Sequence, residues 1–146
     1  MNAIKAEYIL PDLRAATKKE VLQEMAEAVH GVYDTLASVD IFNALQERES
    51  LGSTGIGEGI AIPHAKLKQL EEILVFFGKS AKGVPFDAQD NKGVHLFFLL
   101  LAPEGSSAPY LSSLAQLSKF LKGPTVRSRL LRAEGKEALL EVLTES

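Results

Sequence analysis

Apolar side chains recur at Val21, Leu22, Met25, Ala28 and Val29, the spacing of one face of a helix. Thr17-Lys18-Lys19-Glu20 just before this stripe reads as a capping box, and Gly31 reads as its stop. A second helix is expected from Ser38 to about Arg48, carrying Val39, Ile41, Phe42 and Leu45. Residues 51–59 are glycine-rich and read as loop, and Ile60-Ala61-Ile62 before Pro63 reads as a short strand. The runs 73–77 (ILVFF) and 94–101 (VHLFFLLL) are almost continuously apolar, the signature of strands covered on both faces. Residues 107–121 have Pro109 near a first helical turn and Leu111, Leu114, Leu117 and Leu121 on one face. Two closing helices are expected over 125–132 and 136–143. Strands buried on both sides and interleaved with amphipathic helices predict a three-layer α/β domain with helices on both sides of one sheet.

Composition narrows the function more than the fold. The chain has 146 residues, 46% of them hydrophobic and 24% charged, which suits one domain with a substantial core. It has no cysteine, so disulfides, thiolate metal sites and cysteine nucleophiles are excluded. The net charge of -3 argues against nucleic-acid binding through bulk positive charge. The longest apolar run, residues 96–102, falls far short of the roughly 20 residues that cross a bilayer. The segment MNAIKAEYILPDLR has no apolar secretion core, so the expectation is a cytoplasmic protein with no membrane insertion.

Chemistry concentrates between Arg48 and Ala65. Gly52, Gly55, Gly57 and Gly59 let a backbone bend sharply and come close to a ligand. Ser53 and Thr54 add hydroxyl donors, and free N–H groups in such a loop favour anions. The guanidinium of Arg48 can fork onto a phosphate. The segment is neither a P-loop nor a dinucleotide fingerprint, because Gly57 is followed by Glu58 and Gly59. Taken alone, the glycines favour the reading as a surface loop with flexible turns. A neutral imidazole at His64 would keep one nucleophilic nitrogen, whereas an ordinary strand-end histidine would do nothing. His30 and His95 are too scattered to give metal-ligand spacing with it. His95 reads as structural, and His30 as a charge at a helix C-terminus. Asp87 and Asp90 read as turn and surface groups.

The stretch GSTGIGEGIAIPHAK, with Arg48 upstream, closely resembles the active-site motif of the enzyme IIA domains of the phosphoenolpyruvate-dependent phosphotransferase system, fructose/mannitol/nitrogen-regulatory type. Gly83-Val84-Pro85-Phe86-Asp87-Ala88, then VHLFFLLLAP, then the helix from Pro109 follow the same family order, so the resemblance covers nearly the whole chain, 1–146, as one domain. It implies a mixed β-sheet flanked by helices on both sides and a phosphoryl carrier without a cofactor or metal. An HPr-like phosphocarrier protein would load His64, and an enzyme IIB or a regulated target protein would receive or read the phosphate. Arg48 matches the family's active-site arginine, and Ser53, Thr54 and Gly55 match its phosphate-binding loop. The family's second active-site histidine is replaced by Tyr110. Its hydroxyl can donate to a phosphoryl oxygen but cannot become a cation near neutral pH; alternatively it only packs at a helix start. Ile56, Ile60 and Leu111 are candidates for an apolar partner-facing rim, with Ile60 also a core candidate. Three functions compete: a carrier, a regulatory binding module with impaired onward transfer, and an anion-binding domain without a covalent step.

Overall fold

The computed structural model describes residues 4–145. Its first helix, α1 (Lys18–Val32), starts as the capping residues require: Thr17 Oγ1 accepts from Glu20 N at 3.2 Å. The reciprocal arm reaches one residue further out, because Glu20 Oε1 accepts from Ala16 N at 2.9 Å. Gly31 does not end the helix. It keeps a right-handed conformation inside the last turn, and the helix closes through Tyr33 N on Val29 O. His30 Nδ1 donates to Leu36 O at 2.7 Å, so this ring ties down the turn into α2 (Ser38–Ser50) instead of serving the helix dipole alone.

The strands are β1 (Ile9–Leu10), β2 (Gly55–Gly57), β3 (Ile60–Ala61), β4 (His64–Leu67), β5 (Leu74–Val84) and β6 (Val94–Pro103). They form one mixed six-stranded sheet in the order β1-β5-β6-β3-β2, with β4 also paired to β6. Strand β6 runs antiparallel to β5 and parallel to β3 and β4. Helices α3 (Ser107–Leu121), α4 (Pro124–Arg132) and α5 (Gly135–Thr144) follow. Helices α1 and α2 pack on each other, α1 against β5 and α2 against β4, while α4 lies against β6 and α5 against β1. In β6, Leu96 to Ala102 are all buried, as helices over both sheet faces demand. This is the expected three-layer α/β arrangement. Among the described residues no helix is long and apolar enough to cross a membrane.

Three departures matter. The pattern 73–77 covers less than half of β5, because the strand continues through Gly78, Lys79 and Ser80, where polarity hides it. Lys79 is buried there, and its ammonium donates to Leu131 O at 2.8 Å and Ala133 O at 2.6 Å. It thereby satisfies carbonyls at the C-terminus of α4, where cations are favoured. The stripe expected along α3 is buried only at Leu117 and Leu121, and Leu111 stays 63% exposed. Finally, His64 follows the short strand β3 and Pro63 as expected, but it also begins a strand of its own, β4.

That last point positions everything else. Strands β3 and β4 use the same edge of β6, with Ala61 opposite Phe97 and His64 opposite Leu100. Between them the ladder breaks at Ile62 and Pro63. Proline has no N–H to give, and Ile62 N turns away to Thr54 O at 3.0 Å. Pairing resumes through Leu100 N on Pro63 O at 2.9 Å.

Replacing Lys79 by Met leaves the α4 carbonyls uncapped. Urea denaturation should show a loss of about 1–2 kcal/mol with an unchanged slope; no loss would mean water caps α4 as well as the ammonium does.

Candidate functional site

The Ile62 carbonyl faces away from β6, on the side where Ile62 N donates to Thr54 O and where Thr54 N is taken by Glu49 Oε1. His64 Nδ1 lies 2.8 Å from this carbonyl. A carbonyl only accepts, so Nδ1 carries the proton and Nε2 carries the lone pair. The Nε2 atom faces Arg48, whose Nε donates to it at 3.1 Å. A doubly protonated ring would set N–H against N–H at that contact. Burial, reinforced by the positive charge of Arg48, lowers the pKa of His64 below its ordinary value, and the Ile62 and Glu49 contacts oppose the shift only in part. The ring therefore stays a neutral, oriented imidazole to a lower pH than a free histidine would.

Arg48 stands in the last turn of α2. Its Nη1 donates to Gly52 O at 2.9 Å. Gly52 has φ +144°, a conformation that favours glycine, and it turns its carbonyl back to the arginine. One residue further, Glu49 is only 8% exposed. Its Oε1 accepts from Thr54 N at 3.1 Å and pairs with Lys18 Nζ at 2.9 Å, while Oε2 accepts from the Thr54 hydroxyl. This buried acid, absent from the sequence reading, locks the helix end to the glycine loop.

The loop residues therefore sit apart from the imidazole. Ser53 Oγ donates to Phe86 O at 2.6 Å and accepts from Gly55 N at 3.0 Å. Thr54 is buried on Glu49. A Cβ on Gly55 would meet Ala88 at 2.9 Å, so glycine is required for this close approach. Ser53, Thr54 and Gly55 thus shape the loop in this state, and none of the three lines the cavity at His64.

That cavity has a volume of about 290 Å³. Arg48, His64, Lys66 and Tyr110 supply its chemistry, and Ala44, Glu47, Leu51 and Ala65 complete its wall. The Tyr110 ring lies 5.7 Å from the imidazole, tilted by 59°, so the structure brings Arg48, His64 and Tyr110 together as the motif reading expected. Burial raises the Tyr110 pKa, against the pull of Arg48, and keeps the phenol uncharged. Lys66 Nζ sits 5.0 Å from the centroid of the same ring. Sequence reasoning missed Lys66 because it missed β4; once His64 begins a strand, alternation puts Lys66 on the same face. Of the proposed rim, Ile60 is core, and Ile56, 42% exposed, lines a separate hollow with Leu121 and Arg127. Leu111 is exposed beside Tyr110, and Leu51, unanticipated, is 81% exposed at the cavity edge. His95 Nδ1 donates to Ser80 O at 2.9 Å with its ring against Gly83, a structural role.

Residues 2–146 match the family model of the phosphoenolpyruvate-dependent sugar phosphotransferase system, EIIA 2. The chain belongs to this family. It is 36% identical over 142 residues to a nitrogen regulatory protein of Bradyrhizobium diazoefficiens, covering 97% of this chain and 92% of that one. It is 41% identical over 133 residues to a fructose-specific EIIA component of the phosphotransferase system in Haloferax volcanii, covering 89% and 84%. Its fold superposes on the crystal structure of the nitrogen regulatory protein IIA-Ntr from Neisseria meningitidis with a TM-score of 0.90, at 30% identity over 98% of this chain and 97% of that one. The EIIA fold thus presents the imidazole at the start of an edge strand, against the end of a helix.

The His64 imidazole should titrate by NMR with a midpoint below the ordinary value of about 6.5. Arg48→Gln removes a nearby positive charge and should move that midpoint upward. The sign for stability follows: the unfolded chain takes up the proton first, so this contribution is present above about pH 6.5 and is lost as pH falls through the folded midpoint. A wild-type midpoint at or above that of a free histidine would contradict the geometry.

Proposed function

We propose that the chain is a phosphoryl carrier of the phosphoenolpyruvate-dependent phosphotransferase system. It accepts phosphate from an HPr-like phosphocarrier protein on His64, then passes it to an enzyme IIB partner or holds it as a regulatory signal. The observation that carries this reading is the pairing of a fixed Nδ1–H with an Nε2 lone pair that faces an open cavity beside Arg48.

The transfer step balances without a cofactor. The Nε2 lone pair attacks the phosphorus of a donor phosphohistidine. The donor's P–N bond breaks, and its electron pair returns to the donor nitrogen. No proton needs to move, since Nδ1 keeps its own. The positive charge gained by the imidazole ring falls next to the Ile62 carbonyl, 2.8 Å away, which stabilises it. Arg48 must leave the Nε2 lone pair as phosphorus arrives, and its donors then meet the phosphoryl oxygens. Ser53, Thr54 and Gly55 support the phosphate-binding loop through its shape. Leu51 and Leu111 offer an apolar rim on which a carrier or acceptor can seat, the depletion of charge that protein contacts favour. The domain so assigned is the whole chain, 1–146, acting in the cytoplasm.

One observation favours a second reading, a regulatory module with impaired onward transfer. Tyr110 stands where the family's usual second histidine would supply a cation, and it is held uncharged. Relatives carry names of both kinds, nitrogen regulatory and fructose-specific.

Incubation with phosphoenolpyruvate, enzyme I and HPr should place one acid-labile phosphate on His64, and His64→Ala should abolish it. Label that survives in His64→Ala sinks the carrier assignment. A Tyr110→His variant separates the two readings. Transfer to a IIB acceptor unchanged by it supports the carrier, whereas a gain of tenfold or more identifies the tyrosine as a brake.

A further inference from the structure

A phosphoryl group brings a charge of about −1.5 to −2 near neutral pH, and the cavity at His64 has to hold it. Arg48 supplies one positive charge, part of which is already engaged by Gly52 O. Glu47 also lines the cavity and opposes an anion. Tyr110 adds no charge, because burial keeps its phenol protonated. The remaining cation in the wall is Lys66.

We propose that Lys66 is a second phosphoryl-binding cation and that the Tyr110 ring is the platform that aims it. This rests on the carrier reading and names a residue that the reading did not use. His64 and Lys66 stand two residues apart in β4, so both side chains leave the same face of the strand. The lysine is exposed, yet its ammonium sits over the Tyr110 ring, 5.0 Å from the centroid, within reach of a cation–π contact. The imidazole is a further neighbour of that ring, 5.7 Å away between centroids. Ser107 Oγ, 3.5 Å from Nζ, gives the ammonium a weak second rest at the start of α3. A flexible stem with three donors at its tip suits a cation that moves a short way onto an arriving anion. The tyrosine acts here through its ring face; its hydroxyl has no part.

The test uses the full-length chain phosphorylated by phosphoramidate, a small donor that needs no partner protein, and follows the phosphohistidine by ³¹P NMR. Lys66→Gln should raise the second pKa of the phosphoryl group, since a cation near its oxygens favours the dianion. The same change should lower the equilibrium constant for phosphate uptake from phosphorylated HPr by about tenfold, the effect of one charge-assisted contact. Lys66→Arg should keep both close to wild type. Tyr110→Phe, which keeps the ring, should also match wild type within about twofold, while Tyr110→Leu should shift both in the direction of Lys66→Gln. Circular dichroism and urea melts confirm that each variant folds; Lys66 is exposed, so Lys66→Gln decides the matter even if Tyr110→Leu does not fold. Wild-type behaviour of Lys66→Gln in both readouts overturns this inference alone. A loss in Tyr110→Phe equal to that in Tyr110→Leu overturns the platform and assigns the hydroxyl. Labelling by phosphoramidate but not by HPr defeats the carrier's donor and leaves the ³¹P comparison of Lys66 standing. Failure of wild-type His64 to take phosphate from either source overturns both readings.

Discussion

The site depends on one hydrogen bond, from His64 Nδ1 to the Ile62 carbonyl at 2.8 Å. That bond exists because the Ile62 carbonyl faces away from β6. Gly59 O and Pro63 O serve β6, so the alternating Ile62 carbonyl points to the β2 side, where the Thr54 N–H is already given to Glu49 Oε1. Pro63 cannot donate to the ladder, and Ile62 gives its N–H to Thr54 instead. The carbonyl left over lies two residues from the imidazole and fixes its tautomer. A backbone rule, that every buried polar group finds a partner, thus becomes a statement about which nitrogen is nucleophilic.

Arg48 is placed by a different device. Its backbone belongs to α2, but its guanidinium is aimed by the turn that ends the helix. The Gly52 carbonyl holds one arm, and the imidazole receives the Nε–H. The turn is held in turn by the buried Glu49, which binds the Thr54 amide and hydroxyl and the Lys18 ammonium at the start of α1. A carboxylate in so little solvent is tolerated only with such partners. The hydroxyls of Ser53 and Thr54 are consumed in this bracing. Their conservative reading as phosphate ligands and their observed role as loop braces differ in which atom they offer, since their bonds to Phe86 and Glu49 are already made.

The sheet's centre was legible because VHLFFLLL is apolar without alternation, and only a strand covered on both faces tolerates that. Helix α1 was legible from period and cap. What escaped was short or locally polar. Strand β1 has two residues and is defined by its parallel partner in β5, not by its own pattern. The outer part of β5 contains Lys79, a buried ammonium whose partners lie more than fifty residues away. Glu49 looked like any helix-end acid, since nothing local announces that Lys18 and Thr54 will enclose it. Strand β4 was hidden by the proline before it, and with it went Lys66. The motif named the imidazole and the guanidinium; the register of β4 against β6 was needed to see what shares their face.

The electrostatics of the cavity pose two demands that conflict. A good acceptor needs a neutral, basic imidazole, yet a bound phosphoryl group needs cations nearby, and every cation near the ring makes it less basic. Arg48 meets both demands at a cost, since it contributes to lowering the His64 pKa. A second charged ring at position 110, about 5.7 Å between centroids, would lower it further. A tyrosine there is neutral toward the imidazole. If the second charge is carried by a lysine 5.0 Å from the centroid of that ring, it sits on an exposed side chain where water screens its effect on the nucleophile. Coulomb attraction to a dianion that protrudes into the cavity still grows as the ammonium swings toward it. The two demands are thereby divided between groups: the neutral tyrosine spares the basicity of the imidazole, and the exposed lysine adds charge when the anion arrives.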